Sequence, residues 1–269
     1  MRHKWINVVL VLAVAVFLFS GIQLGRIYLE YRQGTKEYEQ LVEEADMSEL
    51  PPVVPEDILE QLENEGTLEA SDSGQEETGE ESEPTLSYDI GHDKLKEINS
   101  DYIGWLALNE EISYPVVQGS DNSYYLTHTF YGTRNKAGAI FMDADITDGW
   151  EAKNVIVYGH NLKNNKMFAN LTRYGDQAYA EQHRYFSVYT QDGVAVYGIF
   201  AAYETGAVSE AYQYGFASDE EFLEYISKVR SWSVIDTGIS VGASDQIITL
   251  STCTNVNDGR FIVQAKKIQ

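Results

Sequence analysis

The chain has 269 residues with 19 Lys and Arg against 42 Asp and Glu, a formal net charge of -23 at pH 7. The charge is so unevenly distributed that one compact domain over the whole chain is not expected, and we expect no nucleic-acid partner. The single cysteine, Cys253, excludes an internal disulfide, so the folded part depends on its hydrophobic core.

The chain begins with an apolar run of membrane-spanning length. Residues 5–24 are almost wholly apolar, and roughly 20 such residues cross a bilayer core as one helix. Arg2 and Lys4 before the run favour a cytoplasmic N-terminus, although Arg26 and Arg32 beyond it oppose that orientation.

A cleaved signal peptide is the alternative interpretation of this run. The only small-x-small pattern, at 13–15, lies in the middle of the apolar stretch, whereas a cleavage site follows it. We therefore predict a cytoplasmic tip and an uncleaved transmembrane anchor over residues 1–29.

The next segment is acidic. Residues 37–90 contain 19 Asp and Glu, no Lys or Arg, and four of the chain's prolines, a composition that repels itself and buries little surface. Its first half has enough apolar residues for short helices, whereas 69–84 has the composition of a flexible linker. We predict that residues 30–87 are an acidic stalk that spaces the folded part from the membrane, in preference to a docking tail.

Residues 88–269 have the pattern of one mainly β domain. A short amphipathic helix over 89–98 precedes eight runs with strand character, separated by Gly, Asn and Asp turns. The predicted strands cover 103–108, 112–117, 139–143, 154–159, 185–190, 194–203, 246–253 and 260–266. Shorter helical patches lie at 122–127 and 167–174, and a longer helix over 219–232 follows a Ser218 cap. Many short strands with few helices predict an eight-stranded barrel, with the long helix between strands 6 and 7.

The only thiol ends the seventh predicted strand. Strand alternation puts Thr249, Ser251 and Cys253 on one, more polar face. Arg260 opens the next strand after a turn signal, so antiparallel pairing brings the guanidinium to the thiol's end of the sheet. A nearby cation lowers the pKa of a thiol, and the same guanidinium can stabilise an oxyanion.

Cysteine acyl transfer also needs a group that protonates the leaving amine, and histidine is the usual one. Among the five histidines, His160 alone directly ends an apolar strand, with Gly159 before it and Asn161 after it. We therefore take His160 as the candidate acid and base.

Together these positions resemble the sortase family. Sortases carry a T-L-x-T-C strand, an Arg that begins the next strand and a G-H at the end of an earlier strand, which correspond here to 249–253, Arg260 and 158–161. The Ser within TLSTC, the YGHN form and the long helix before the seventh strand are similar to class B sortases. The resemblance covers roughly residues 88–268.

The resemblance implies a sortase β-barrel behind a single transmembrane helix, and a cysteine transpeptidase without cofactor or metal. At the matching positions, Cys253 would be the nucleophile, His160 the general acid and base, and Arg260 the oxyanion or substrate clamp. Three further residues match groove positions of class B relatives: Tyr158, Ser251 and Asn122.

The implied reaction cleaves a C-terminal sorting signal after Thr through a thioester, and transfers the protein to an amine of peptidoglycan or of a pilin. The implied partners are surface proteins of a Gram-positive cell, with the catalytic domain outside its membrane. The sequence of the signal and the identity of the amine stay open.

Other interpretations remain. An L,D-transpeptidase is also an exported cysteine enzyme, but its motif places His and Gly directly before the Cys, where Ser251 and Thr252 stand here. A membrane-tethered β-module with a buried, inert Cys253 is the non-enzymatic alternative. The acidic cluster at 143–149 departs from the spacing of a calcium loop, so we predict a turn there and no metal site.

Overall fold

A computed structural model describes residues 2–45, 47, 50–68, 90–253 and 258–269. The linker predicted at 69–84 lies outside these residues. The described helices are α1 (Arg2–Glu44), α2 (Glu56–Leu68), α3 (His92–Ile98), α4 (Gln177–Gln182) and α5 (Asp219–Trp232). The described strands are β1 (Tyr102–Asn109), β2 (Ile112–Val117), β3 (Ile140–Met142), β4 (Asn154–Tyr158), β5 (Tyr185–Thr190), β6 (Gly193–Gly206), β7 (Ile247–Cys253) and β8 (Gly259–Lys267).

The eight strands close into one barrel in the order β1-β2-β3-β4-β7-β8-β6-β5. The β2–β3 and β4–β7 pairs are parallel, and the other pairs are antiparallel. Every strand predicted from the sequence is present, so the eight-stranded barrel is confirmed. As a result β7 lies between β4, which ends just before Gly159 and His160, and β8, whose second residue is Arg260.

Helix α5 covers the outer face of the barrel between β6 and β7. The predicted cap is present, since the Ser218 hydroxyl accepts a hydrogen bond from the Glu221 amide at 3.3 Å. Phe222, Ile226 and Val229 are buried against residues of β6, β7 and β8. These apolar residues recur at steps of three and four, which is why the sequence predicts a helix over the same residues, 219–232.

Helix α1 is unbroken from its apolar half into the acidic segment. Among the described residues it is the one helix long and apolar enough to cross a membrane, and its apolar window has a mean hydropathy of 2.0 with no part buried. The second half packs on the barrel, where Leu41 is fully buried. Tyr38 meets Tyr114 edge-on at 5.2 Å between ring centroids and donates a hydrogen bond to the Gly138 carbonyl at 3.0 Å.

The beginning of the predicted stalk is therefore a packed helix, not only a spacer. Its apolar positions recur with helical spacing among acidic residues, which themselves find hydroxyl donors on the barrel. Thr129 donates to the Glu37 carboxylate at 2.6 Å, and Tyr131 donates to that of Glu44 at 2.9 Å. The boundaries at 29/30 and 87/88 stay a prediction, and α1 crosses the first of them without a break.

We expect Leu41→Ala to lower the free energy of unfolding by about 2–5 kcal/mol, because it leaves a cavity between α1 and the barrel. Leu59→Ala on α2 is the matched control, since 37% of the Leu59 side chain is exposed. Thermal unfolding followed by circular dichroism compares the two. Equal effects of both substitutions would show that α1 does not contribute to the core.

Candidate active site

One cavity of about 200 Å³ gathers most of the candidate residues. Five of the six site residues predicted from the sequence line it: Asn122, Tyr158, His160, Ser251 and Arg260. The sixth, Cys253, directly follows Thr252, which also lines the cavity. Residues that are far apart in the chain thus meet at one edge of the barrel.

The β7–β8 hairpin carries the cysteine and the arginine. In its antiparallel register Cys253 pairs with Arg260, as the sequence predicts. Asp258, directly before β8, has a φ of 56°, a left-handed backbone conformation that Asp tolerates. The Arg260 guanidinium donates to the Gly259 carbonyl at 3.0 Å, and no carboxylate of the described residues forms an ion pair with it. Its charge is therefore available to an anion in the cavity.

Strand β4 brings the histidine to the same edge. It pairs in parallel with β7, with Tyr158 opposite Ser251, and the Gly159 amide donates to the Ser251 carbonyl at 3.1 Å. His160 follows immediately and is half-buried. Its Nε2 lies 2.7 Å from the Leu126 carbonyl, which can only accept, so Nε2 is the donor of this bond. This contact fixes the orientation of the imidazole plane.

Gly159 is required by close packing at this point. A Cβ on Gly159 would lie 2.5 Å from Cδ1 of Ile140 and 2.6 Å from Cγ of Phe168. Both neighbours are fully buried, so neither can give way cheaply. The residue before His160 must therefore lack a side chain.

If His160 is the acid and base that the sequence predicts, Gly159→Ala should lower kcat by roughly 10- to 100-fold, since overpacking displaces the imidazole. Gly242→Ala is the control, because its Cβ would meet its nearest atom at an ordinary 3.6 Å. Steady-state kinetics and thermal unfolding of both variants make the comparison. An unchanged kcat in folded Gly159→Ala would contradict this role.

The wall beside His160 is held by a buried carboxylate. Tyr158 donates to Oδ2 of Asp143 at 2.7 Å, and the Asn122 amide donates to Oδ1 at 3.0 Å. Burial raises the pKa of Tyr158 well above its usual value, and the hydrogen bond to Asp143 and its charge raise it further. Tyr158 is therefore a neutral hydroxyl at physiological pH.

Tyr212, on the β6–α5 connection, also lines the cavity. Its hydroxyl lies 2.9 Å from the Ser251 hydroxyl, and its ring centroid lies 6.0 Å from that of Tyr158. No sequence pattern marks Tyr212, because it lies in a connection without motif or periodicity. Thr252 was noted only as part of the motif, and its buried hydroxyl has no hydrogen-bond partner among the described residues.

The acidic cluster forms a turn between β3 and β4, as predicted. Asp145 and Asp148 are exposed, whereas Asp143 is 6% exposed and faces the site residues. Within the described ranges no group of three or more His, Cys, Asp or Glu could hold a metal ion.

Comparisons with known proteins point to one family. A sortase domain model matches residues 107–268. Sortase B of Listeria monocytogenes is 38% identical over 180 residues, which cover 65% of this chain and 72% of that protein. Sortase B from B. anthracis in complex with AAEK1 has a TM-score of 0.70 at 27% identity, covering 90% of this chain and 100% of that chain. The Staphylococcus aureus sortase B-substrate complex has a TM-score of 0.67 at 26% identity, covering 90% and 99%.

Proposed function

Since this chain belongs to the sortase family, as a class B sortase, we propose that it is a membrane-anchored cysteine transpeptidase. Its substrate is a C-terminal sorting signal that it cleaves after Thr, and its acceptor is an amine of peptidoglycan or of a pilin. The observation that carries the proposal is the convergence of three chain segments. The end of β4, the end of β7 and the start of β8 meet at one cavity that His160 and Arg260 line.

In the first half of the reaction, the thiolate of Cys253 attacks the carbonyl carbon of the Thr. The carbonyl oxygen becomes an oxyanion, which the Arg260 guanidinium stabilises with hydrogen bonds and charge. His160 then gives a proton to the departing amine as the C–N bond breaks. A thioester between Cys253 and the Thr remains.

In the second half, the acceptor amine attacks the thioester carbonyl. His160, now neutral, takes the proton that the amine loses, and Cys253 leaves as a thiolate. The new amide joins the substrate protein to the acceptor, and the enzyme returns to its starting protonation. Because water competes with the amine, the groove must position the amine near the thioester.

The proposed location is the outer face of a Gram-positive cell membrane. The apolar half of α1 has the length of a membrane-spanning helix, and its second half packs on the barrel. The catalytic domain therefore stays close to the membrane. This position suits partners that are themselves surface proteins awaiting attachment to the cell wall.

The test is cleavage of a peptide library by the purified full chain in detergent, read by mass spectrometry. We expect cleavage after Thr, and a new amide when an amine acceptor is added. Release of D-Ala from peptidoglycan tetrapeptides would instead favour an L,D-transpeptidase. A methanethiosulfonate reagent decides the non-enzymatic alternative: the folded chain should label quickly at Cys253, whereas labelling only after denaturation would favour a β-module with an inert thiol.

A further inference from the structure

Asp143 holds two polar residues of the groove, Tyr158 and Asn122, from behind. Its carboxylate is buried and accepts three hydrogen bonds among the described residues. Oδ1 accepts from the Asn122 amide at 3.0 Å and from the Asp145 backbone amide at 3.0 Å. Oδ2 accepts from the Tyr158 hydroxyl at 2.7 Å. All three partners are donors, so the carboxylate acts purely as an acceptor.

An acceptor in this position fixes which hydrogen-bonding groups remain for a ligand. A tyrosine hydroxyl has one proton, and because Tyr158 gives it to Asp143, only oxygen lone pairs are left. The Asn122 side chain is fixed at both ends, since its Oδ1 accepts from the Ala144 amide at 2.8 Å. Its second N–H remains as a donor. This part of the groove therefore offers one acceptor, on Tyr158, and one donor, on Asn122.

An acceptor and a donor side by side match an extended peptide, whose backbone alternates N–H and C=O groups. We propose that Asp143 is a positioning residue that sets this polarity: Tyr158 accepts from a backbone N–H of the sorting signal, and Asn122 donates to a backbone C=O. The inference rests on the proposed function and adds the residue that orients substrate binding. Asp143 lies behind the wall and does not line the cavity.

The same arrangement extends to Tyr212, which also lines the groove. The Tyr158 ring, held by its hydrogen bond to Asp143, lies 6.0 Å from the Tyr212 ring, whose hydroxyl contacts Ser251. A change at Asp143 therefore affects Tyr158 directly, and it affects Tyr212 only through the packing of the two rings. Peptide binding should suffer more than the chemical step at Cys253.

Asp143→Asn is the first test variant, because it keeps the shape of the side chain and adds a donor where an acceptor stood. Tyr158 can then turn its proton towards the groove, and its contact with a peptide N–H is lost. We expect KM to rise roughly tenfold, the upper end for one lost hydrogen bond between neutral groups, and kcat to change much less. Asp145→Asn is the matched control, since that side chain is exposed and two residues away.

A second measurement separates polarity from general damage. Signal peptides carrying a single ester in place of one amide lack one N–H at a time. At one position outside the scissile bond, the ester peptide should have a higher KM than the amide peptide for the wild-type chain and for Asp145→Asn. For Asp143→Asn the two peptides should have the same KM, because that contact is already lost. In Tyr158→Phe the same ester should likewise cause no further rise in KM. If thermal unfolding shows that Asp143→Asn does not fold, Tyr158→Phe replaces it as the test variant.

The outcomes separate this inference from the proposed function. An active wild-type chain whose ester penalties persist unchanged in Asp143→Asn and Tyr158→Phe would overturn the role of Asp143 alone. An unchanged KM in folded Asp143→Asn would do the same. A wild-type chain that cleaves no signal peptide would overturn the proposed function and this inference together.

Discussion

Cys253→Ala is expected to abolish signal cleavage while the variant still binds the peptide. Without the thiol no thioester forms. A groove that only binds the peptide and polarises its carbonyl keeps a small part of the rate enhancement. We expect kcat to fall by at least about four orders of magnitude. A fluorescence-quenched peptide measures cleavage, and calorimetry measures binding to the same sample.

The chain supplies its own control for this prediction. Cys253 is the only cysteine, so the wild-type chain should take up one methanethiosulfonate label and the variant none. Residues that act as a unit are not additive, so Cys253→Ala combined with His160→Ala should be no slower than Cys253→Ala alone. Substantial cleavage by the unlabelled variant, or a much slower double variant, would show that the nucleophile is another group.

The sequence predicted the parts of the site that depend on strand order and pairing. Cys253 and Arg260 flank one hairpin, so their register follows once both strands and the turn are recognised. The sequence marks His160 by its place at the end of an apolar strand. Its position beside β7 depends on parallel pairing between β4 and β7, which no local pattern reveals and which only the sortase resemblance implies. In the structure, the hydrogen bond from the Gly159 amide to the Ser251 carbonyl holds the residue before His160 against β7.

The sequence did not predict the features that depend on long-range packing. The acidic composition concealed the packed half of α1, because the burial of Leu41 needs partners on a barrel that folds much later in the chain. Asp143 was predicted only as the end of a strand and the start of a turn, and its burial depends on donors from two other segments. Tyr212 lies in a loop, where no periodicity marks the inward-facing residue.

The second large effect is expected at Arg260, where two roles of one side chain can be separated. Arg260→Gln removes both the charge near Cys253 and the donors for the oxyanion, so we expect kcat/KM to fall by roughly 10²- to 10³-fold. The pH at which labelling of Cys253 is half-maximal should also rise, because the thiolate loses the nearby positive charge of Arg260. Arg260→Lys keeps the charge but lacks the planar fork of donors.

Arg260→Lys should therefore restore the pH dependence of labelling without restoring the rate of acylation. Lys267→Gln, at the other end of β8, controls for the loss of one positive charge, and its exposed ion pair with Glu151 contributes little. If Arg260→Lys recovers both labelling and acylation, charge alone is sufficient and the guanidinium is not an oxyanion clamp. If it recovers the labelling midpoint alone, the planar donors act on the substrate oxygen during attack, when that oxygen carries negative charge.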